Sequence, residues 1–286
     1  MIILCADDYA LTEGVSRAIG ELAAARRISA TSALVTSPHW RAMAPRLVIH
    51  RGRIAIGLHL NLTLGSPLGP MRGLGPNGAF PKRHVLAMRA VLGLLRAAEI
   101  AAEIERQLAA FEERVGFAPD HIDGHEHVHV LPGVREPLFD VLARRYHGVR
   151  PLVRDPSDRW EAIAARGIAR TKATVVAALA LGFGGAAQRH GLPTNAGFSG
   201  FSSFDVKEPY AQELEKALVH PGPRHIVMCH PGHPDAELAA VDPVVERRRM
   251  EYETLMRDGS LPDRIWRPAR ALDGPPVDWS QTGGPA

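Results

Sequence analysis

The chain has 286 residues, 45% of them hydrophobic and 23% charged, an ordinary globular composition that argues against disordered, fibrous and membrane-embedded classes. Lys and Arg number 34 against 31 Asp and Glu, and the resulting formal charge of +3 is too mild to imply a nucleic-acid partner. This length suits one large α/β domain, and residues 1–272 are expected to form it, with the Pro/Gly-rich residues 273–286 as a flexible tail.

In chain order, apolar and partly β-branched runs predict strands at Met1–Ala6, Thr31–Thr36, Arg53–Leu60, His121–Gly124, Gly148–Arg154 and His225–His230. Helical patterns fall at Thr12–Arg27, Glu99–Val115, Val134–Tyr146 and Tyr210–Val219, with Thr12 as a simple N-cap. Strands alternating with helices imply a mostly parallel sheet, open or closed into a barrel. No repeat at a period of about 20–50 residues suggests a solenoid. Met1–Ala6 is too short for a signal-peptide core, so no export is predicted. Cys5 and Cys229 each sit in an apolar run and read as buried hydrophobes rather than a bridge.

Two stretches read as long loops. Gly65–Pro81 carries five glycines and four prolines in seventeen residues, and Gly191–Ser203 offers Phe198 and Phe201 for packing on a ligand or the core. The longest apolar-rich stretch, Ala173–Ala187, has fifteen residues, short of the roughly 20 that span a bilayer. It reads as a buried helix, or else as a surface for lipid or a greasy substrate.

Polar clusters stand where strand patterns stop: Asp7-Asp8 after Met1–Ala6, His59 and Asn61 at the end of the third run, the His121–His129 segment, and His230-Pro-Gly-His233. In parallel α/β folds the carboxyl ends of strands gather on one face, so these clusters are expected to converge. Four of the 14 histidines fall within nine residues, with His125, His127 and His129 alternating as if on one face of a strand. Adjacent Asp7 and Asp8 point to opposite sides of an extended chain, so both can serve one site only if the chain turns there. One Asp and two His with open coordination positions can hold zinc or iron(II) and, with more water, manganese or magnesium. Hydrolysis uses all the parts: a metal to polarise a carbonyl and acidify water, an acid to take the proton, a histidine to give one to the leaving group.

The segments ADDYALT, GLHLNLT, HIDGHEHVHVLP and the late HPG, in this order and spacing, resemble the YdjC family of carbohydrate deacetylases, over roughly residues 1–235. Within it, the chain is similar to the hopanoid-biosynthesis-associated branch HpnK in its length, AALALGFGGAAQRHGLPTN and GFSGFSSF. The resemblance implies a single-domain (β/α) barrel-like fold with its site at the strand C-terminal ends, one divalent metal, Mg2+ or Zn2+, and hydrolysis of an N-acetyl group on an amino sugar. Carried onto matching positions, it makes Asp8, His59 and His125 the metal ligands, Asp7 the base and His230 the acid. His127, His129 and Asn61 are then expected to orient ligands or bind substrate. The chain departs from the family at Ala10, where relatives have glycine, and at Glu126, where many carry His or Gln. The branch resemblance implies a lipid-linked substrate, an N-acetylglucosaminyl hopanoid, whose transfer would need transient membrane-surface contact; with no export signal, the expected location is cytoplasmic, peripheral to the membrane. The rival readings are a soluble chitooligosaccharide deacetylase, a metal phosphoesterase, and a non-catalytic metal- or glycolipid-binding protein.

Overall fold

The computed structural model describes residues 1–279. Seven strands, β1 (Ile3–Tyr9), β2 (Ala30–Ala33), β3 (Ala55–Leu60), β4 (His121–Gly124), β5 (Leu152–Val153), β6 (Phe198–Ser199) and β7 (Ile226–Cys229), form one sheet in the order β5-β4-β3-β2-β1-β7-β6. Every neighbouring pair is parallel, as the strand–helix alternation predicts. The sheet curls into a half-barrel, and one stretch of chain touches both its edges. Thr194 bridges to Val153 on one side, and Phe198 pairs with Ile226 on the other.

Alternation along the strands explains what fills the curl. Ile3, Cys5, Ala30, Ala55, Leu152, Phe198, Ile226 and Met228 form one apolar cluster inside it, joined by Val277 and Trp279. Continuing the same alternation toward the carboxyl ends brings Asp7, Ser32, His59, Asp123, Arg154 and His230 to the same interior. The interior is therefore apolar at the amino ends of the strands and polar at the carboxyl ends. The opposite face of the sheet packs on the surrounding helices in the larger core, with Leu4, Ile56, Leu58, Ile122 and Val227. Gly57 leaves room for His121, whose ring atoms would lie 2.5 Å from an added Cβ.

Several sequence expectations shift. Gly191–Ser203 holds the two-residue β6, a pairing that its Gly/Ser-rich composition does not announce. Helices at Trp40–Val48, Arg83–Val91, Trp160–Arg166 and Val245–Arg257 lie outside the predicted ones. Ala173–Ala187 is not one buried helix: it falls in helices Arg170–Leu179 and Phe183–Arg189, the first ending at the Ala180 cap and the second starting from Gly182 at φ 75°. It is also partly exposed, at Val175 and Leu181. Gly65–Pro81 is irregular but anchored, since Glu99 accepts from the Gly73 and Leu74 amides and Glu103 from that of Leu68. Of residues 273–286, Val277 and Trp279 are buried and the Trp279 indole donates to the Asp120 carbonyl, while residues 280–286 lie outside the described residues. Cys5 and Cys229 are buried free thiols.

Candidate active site

The Asp7-Asp8 pair is brought to one site by a bulge in β1. Ala6 pairs with Thr31 and Tyr9 with Ala33, so three steps on β1 face two on β2. Asp8 takes φ 70° and Ala10 φ 71°, which is the turn the sequence requires if both carboxylates are to serve. Both are buried.

Asp8 Oδ1 stands 3.0 Å from His125 Nδ1 and 3.2 Å from His59 Nε2. Its other oxygen accepts from Arg248 at 2.6 Å. Burial would raise the Asp8 carboxyl, but Arg248 and His125 outweigh it and hold it well below the usual carboxylate range. His59 Nδ1 donates to Asp123 Oδ1 at 2.6 Å, which fixes the ring and turns Nε2 toward Asp8. Burial lowers the His59 pKa, yet Asp123 and Asp8 override it and raise it to about 10.

Asp7 is gripped by the Arg154 fork, Nη1 to Oδ2 at 2.7 Å and Nη2 to Oδ1 at 2.6 Å. The same guanidinium reaches Asp123 and Cys5 Sγ. His230 follows β7 directly, its amide donating to Glu251 Oε2 at 2.5 Å. Burial pushes the His230 imidazole down to about 4 and the Glu251 carboxyl up to about 7.

The histidine-rich segment does not continue as a strand. After β4 the chain enters a 3-10 turn, His125–Val130, with Glu126 at φ 54° and His127 at φ 60°, so the three alternating rings separate. His125 meets Asp8. His127 packs edge-on against Phe198 and Phe201, at 5.9 and 5.6 Å between centroids. His129 is buried beneath the site, its Nε2 donating to the Arg154 carbonyl at 2.8 Å. Asn61 spends its side chain on the turn after β3: Oδ1 accepts from Thr63 and Leu64, and Nδ2 donates to Thr36 and to the Leu64 carbonyl.

Sequence reasoning missed Asp123, Arg154, Arg248 and Glu251. Two of them carried a signal. Asp123 lies within the quoted histidine-rich motif, and Arg154 is a lone charge ending a predicted apolar strand. Arg248 and Glu251 sit in a charged helical run that reads as solvated surface.

Among the described residues, three groups of donor atoms lie within 4.8 Å of one another: Asp8/His59/His125, Asp7/His59/Asp123 and Cys5/His121/Asp123. In the latter two, Arg154 already occupies the space, between the Asp7 and Asp123 carboxylates in one and between Asp123 and the Cys5 thiol in the other, and a guanidinium and a metal cation exclude each other there. The first set fits an ion. Ligands held about 2.0–2.2 Å from a metal stand roughly 3.0–3.5 Å apart across a coordination edge, the spacing of Asp8 Oδ1 from both rings. The Asp123–His59 bond is the outer partner that metal-ligating histidines usually have.

A parallel half-barrel with a carboxylate–histidine cluster at the strands' carboxyl ends defines a class of α/β proteins whose site is competent to hold a divalent cation. Residues 1–260 match the family of YdjC-like proteins, and the chain belongs to that family. It is 32% identical over 251 residues to a human carbohydrate deacetylase, covering 82% of this chain and 75% of that protein. A carbohydrate deacetylase of Geobacillus stearothermophilus is 29% identical over 260 residues, 88% of each chain. A chitooligosaccharide deacetylase of Enterobacter sp. (strain 638) is 33% identical over 148 residues, 51% of this chain and 56% of that one. The fold matches a crystal structure from Enterococcus faecalis V583, named for cellobiose-phosphate cleavage, with TM-score 0.69, 23% identity and coverage of 93% and 96%.

Proposed function

We propose that this protein is a divalent-metal-dependent hydrolase that removes the N-acetyl group of an amino sugar, releasing acetate, and that the sugar is carried on a hopanoid lipid. The observation that carries the reading is the convergence of Asp8, His59 and His125 beside Asp7 and His230. The deacetylase names of the relatives support the reaction class. The HpnK resemblance and the partial exposure of Val175 and Leu181 support the lipid.

A divalent ion held by Asp8, His59 and His125, Mg2+ or Zn2+, would polarise the acetamide carbonyl and lower the pKa of a water. Asp7 takes that water's proton. The Arg154 fork fixes the carboxylate plane, and each oxygen keeps a lone pair for the proton. The water oxygen bonds to the carbonyl carbon, the C–N bond breaks, and the nitrogen leaves as the amine with a proton from His230. His230 rests neutral, its pKa lowered to about 4 by burial, so it acts as a relay: it accepts the proton that Asp7 took from the water and passes it to the departing nitrogen, which returns Asp7 to its carboxylate. His127, against Phe198 and Phe201, borders the substrate, and His129 steadies Arg154 through its carbonyl.

Acetate release is measured from N-acetylglucosaminyl hopanoid and from diacetylchitobiose, with chelated enzyme and after reloading with zinc or magnesium. Metal-dependent release from the first alone supports the full reading. Release from the second alone keeps the chemistry and discards the lipid, and release from neither returns the phosphoesterase to consideration. Asp7→Asn is expected to retain metal while losing roughly 100-fold or more in turnover, whereas His59→Ala and His125→Ala lose both. Equal metal loss in Asp7→Asn would contradict this division of roles.

A further inference from the structure

Two exposed apolar tips end helices whose other ends border the site, and neither is explained by folding. The first is the turn after helix Arg83–Val91, where Val91, Leu92 and Leu94 are 66%, 62% and 63% exposed. The second is Leu181, 80% exposed, after helix Arg170–Leu179. Each stands on a glycine turn, Gly93 at φ 67° and Gly182 at φ 75°, and an added Cβ at either glycine would meet nothing within 4 Å, so both are tips in open space rather than walls of a groove. They flank one corner of the molecule. Leu95 packs within 3.2 Å of where a Gly133 side chain would begin, and Arg135 donates to the Leu181 carbonyl at 3.1 Å.

The opposite ends of the same two helices adjoin the site. Arg83, which opens the first helix, lies 3.6 Å from Glu126, the residue after His125. Lys172, on the second helix, feels Arg83 and Glu126 and sits 4.2 Å over the Phe204 ring that meets His230. Arg96 follows the first tip directly, and the exposed basic residues Lys82, Arg83 and Arg170 open the two helices, roughly 12–17 Å along their axes from the tips. Glu126 and Glu136 face Arg83 and Arg135 respectively.

We propose that this corner is a membrane-docking surface, in which Val91–Leu94 and Leu181 insert among lipid headgroups and the basic residues engage anionic lipid, presenting the site mouth to the bilayer. Exposed apolar patches of this kind mark interaction surfaces. Apolar insertion combined with basic charge is how peripheral proteins hold an anionic interface. Convex tips suit a deformable interface, where a partner helix would need a groove. Contact would be peripheral, because among the described residues no helix is long and apolar enough to cross a membrane. The surface is read from exposure and charge, and for its purpose it rests on the lipid-linked reading above.

The test is flotation of the full chain with vesicles of phosphatidylcholine alone and of phosphatidylcholine mixed with phosphatidylglycerol, at low and high salt. The wild type is expected to float with the anionic vesicles, less with the neutral ones, and less at high salt. The double substitution Leu92→Asp, Leu94→Asp should lower partitioning roughly tenfold or more while leaving metal binding and the urea unfolding midpoint unchanged. Leu181→Asp gives a second, independent variant. A wild type that never floats, or variants that float equally well, overturns the surface. A concentration-dependent dimer in sedimentation velocity, dissociated by the same substitutions, overturns it in favour of a second copy. Absence of acetate release with flotation intact would strike the deacetylase reading and spare the surface.

Discussion

Asp7, Asp8 and Asp123 place three carboxylates in the interior of the half-barrel, and Arg154 and Arg248 are the guanidinium groups that meet them. Arg248 bridges Asp8 to Asp242, its Nε donating to Asp242 Oδ2 at 2.7 Å, so it ties helix Val245–Arg257 to the candidate ligand. Removing one partner of a buried pair leaves an uncompensated charge. Arg248→Met should therefore destabilise the chelated protein by about 3 kcal/mol or more, read by urea unfolding, and Arg248→Lys should recover part of it. A loss below about 1 kcal/mol would mean that Asp8 is satisfied without this arm. At this scale the motif histidines and acids are legible from sequence, because such residue types at strand ends are out of place in an apolar pattern. Arg248 is not legible, because its neighbours in the chain are charged and only the tertiary fold turns it inward.

The bulge of β1 and the 3-10 turn after β4 decide which side chains of each motif meet. The bulge puts Ala10, fully buried, at φ 71°, a region that costs a non-glycine residue about 1–2 kcal/mol. Glycine would remove that strain at an entropic cost of about 0.5–1 kcal/mol in the unfolded chain. Ala10→Gly is thus expected to stabilise by about 0.5–1 kcal/mol, and an unchanged or lower urea midpoint would show that the lost methyl contact outweighs the strain. The HEHVH alternation reads as a strand because its period is two. Long-range contacts impose the turn instead: His125 to Asp8, Glu126 to Arg83 and His129 to the Arg154 carbonyl. Local spacing contains none of these partners.

Across the whole molecule, buried neutral histidines set the response to acid. Burial lowers His129, His225 and His230 from 6.5 to about 4. Between those values the unfolded chain binds more protons than the folded one. Their contribution is complete above about 6.5 and is lost as pH falls toward about 4, at about 1.4 kcal/mol per unit for each group. Glu251, raised by burial from 4.5 to about 7, acts oppositely, as one group against three. Stability of the chelated protein should therefore fall with pH across this window, and His225→Gln should flatten the slope. Unfolding midpoints at a series of pH values check this, and an unchanged slope in the variant would remove His225 from the account.

The amino-acid sequence by itself determined the α/β class, the parallel alternation, most strand positions and the residues from which a hydrolytic site could be built. Hydrophobic periodicity and residue chemistry are local properties, written along the chain. The tertiary structure alone decided which ring of the histidine-rich segment meets Asp8, which arginine grips which acid, that Asn61 holds a turn, and that Val91–Leu94 stays outside the core. Each of these depends on contacts between residues far apart in sequence, up to the 240 positions that separate Asp8 from Arg248. No local pattern records that proximity, because the curl of the sheet creates it.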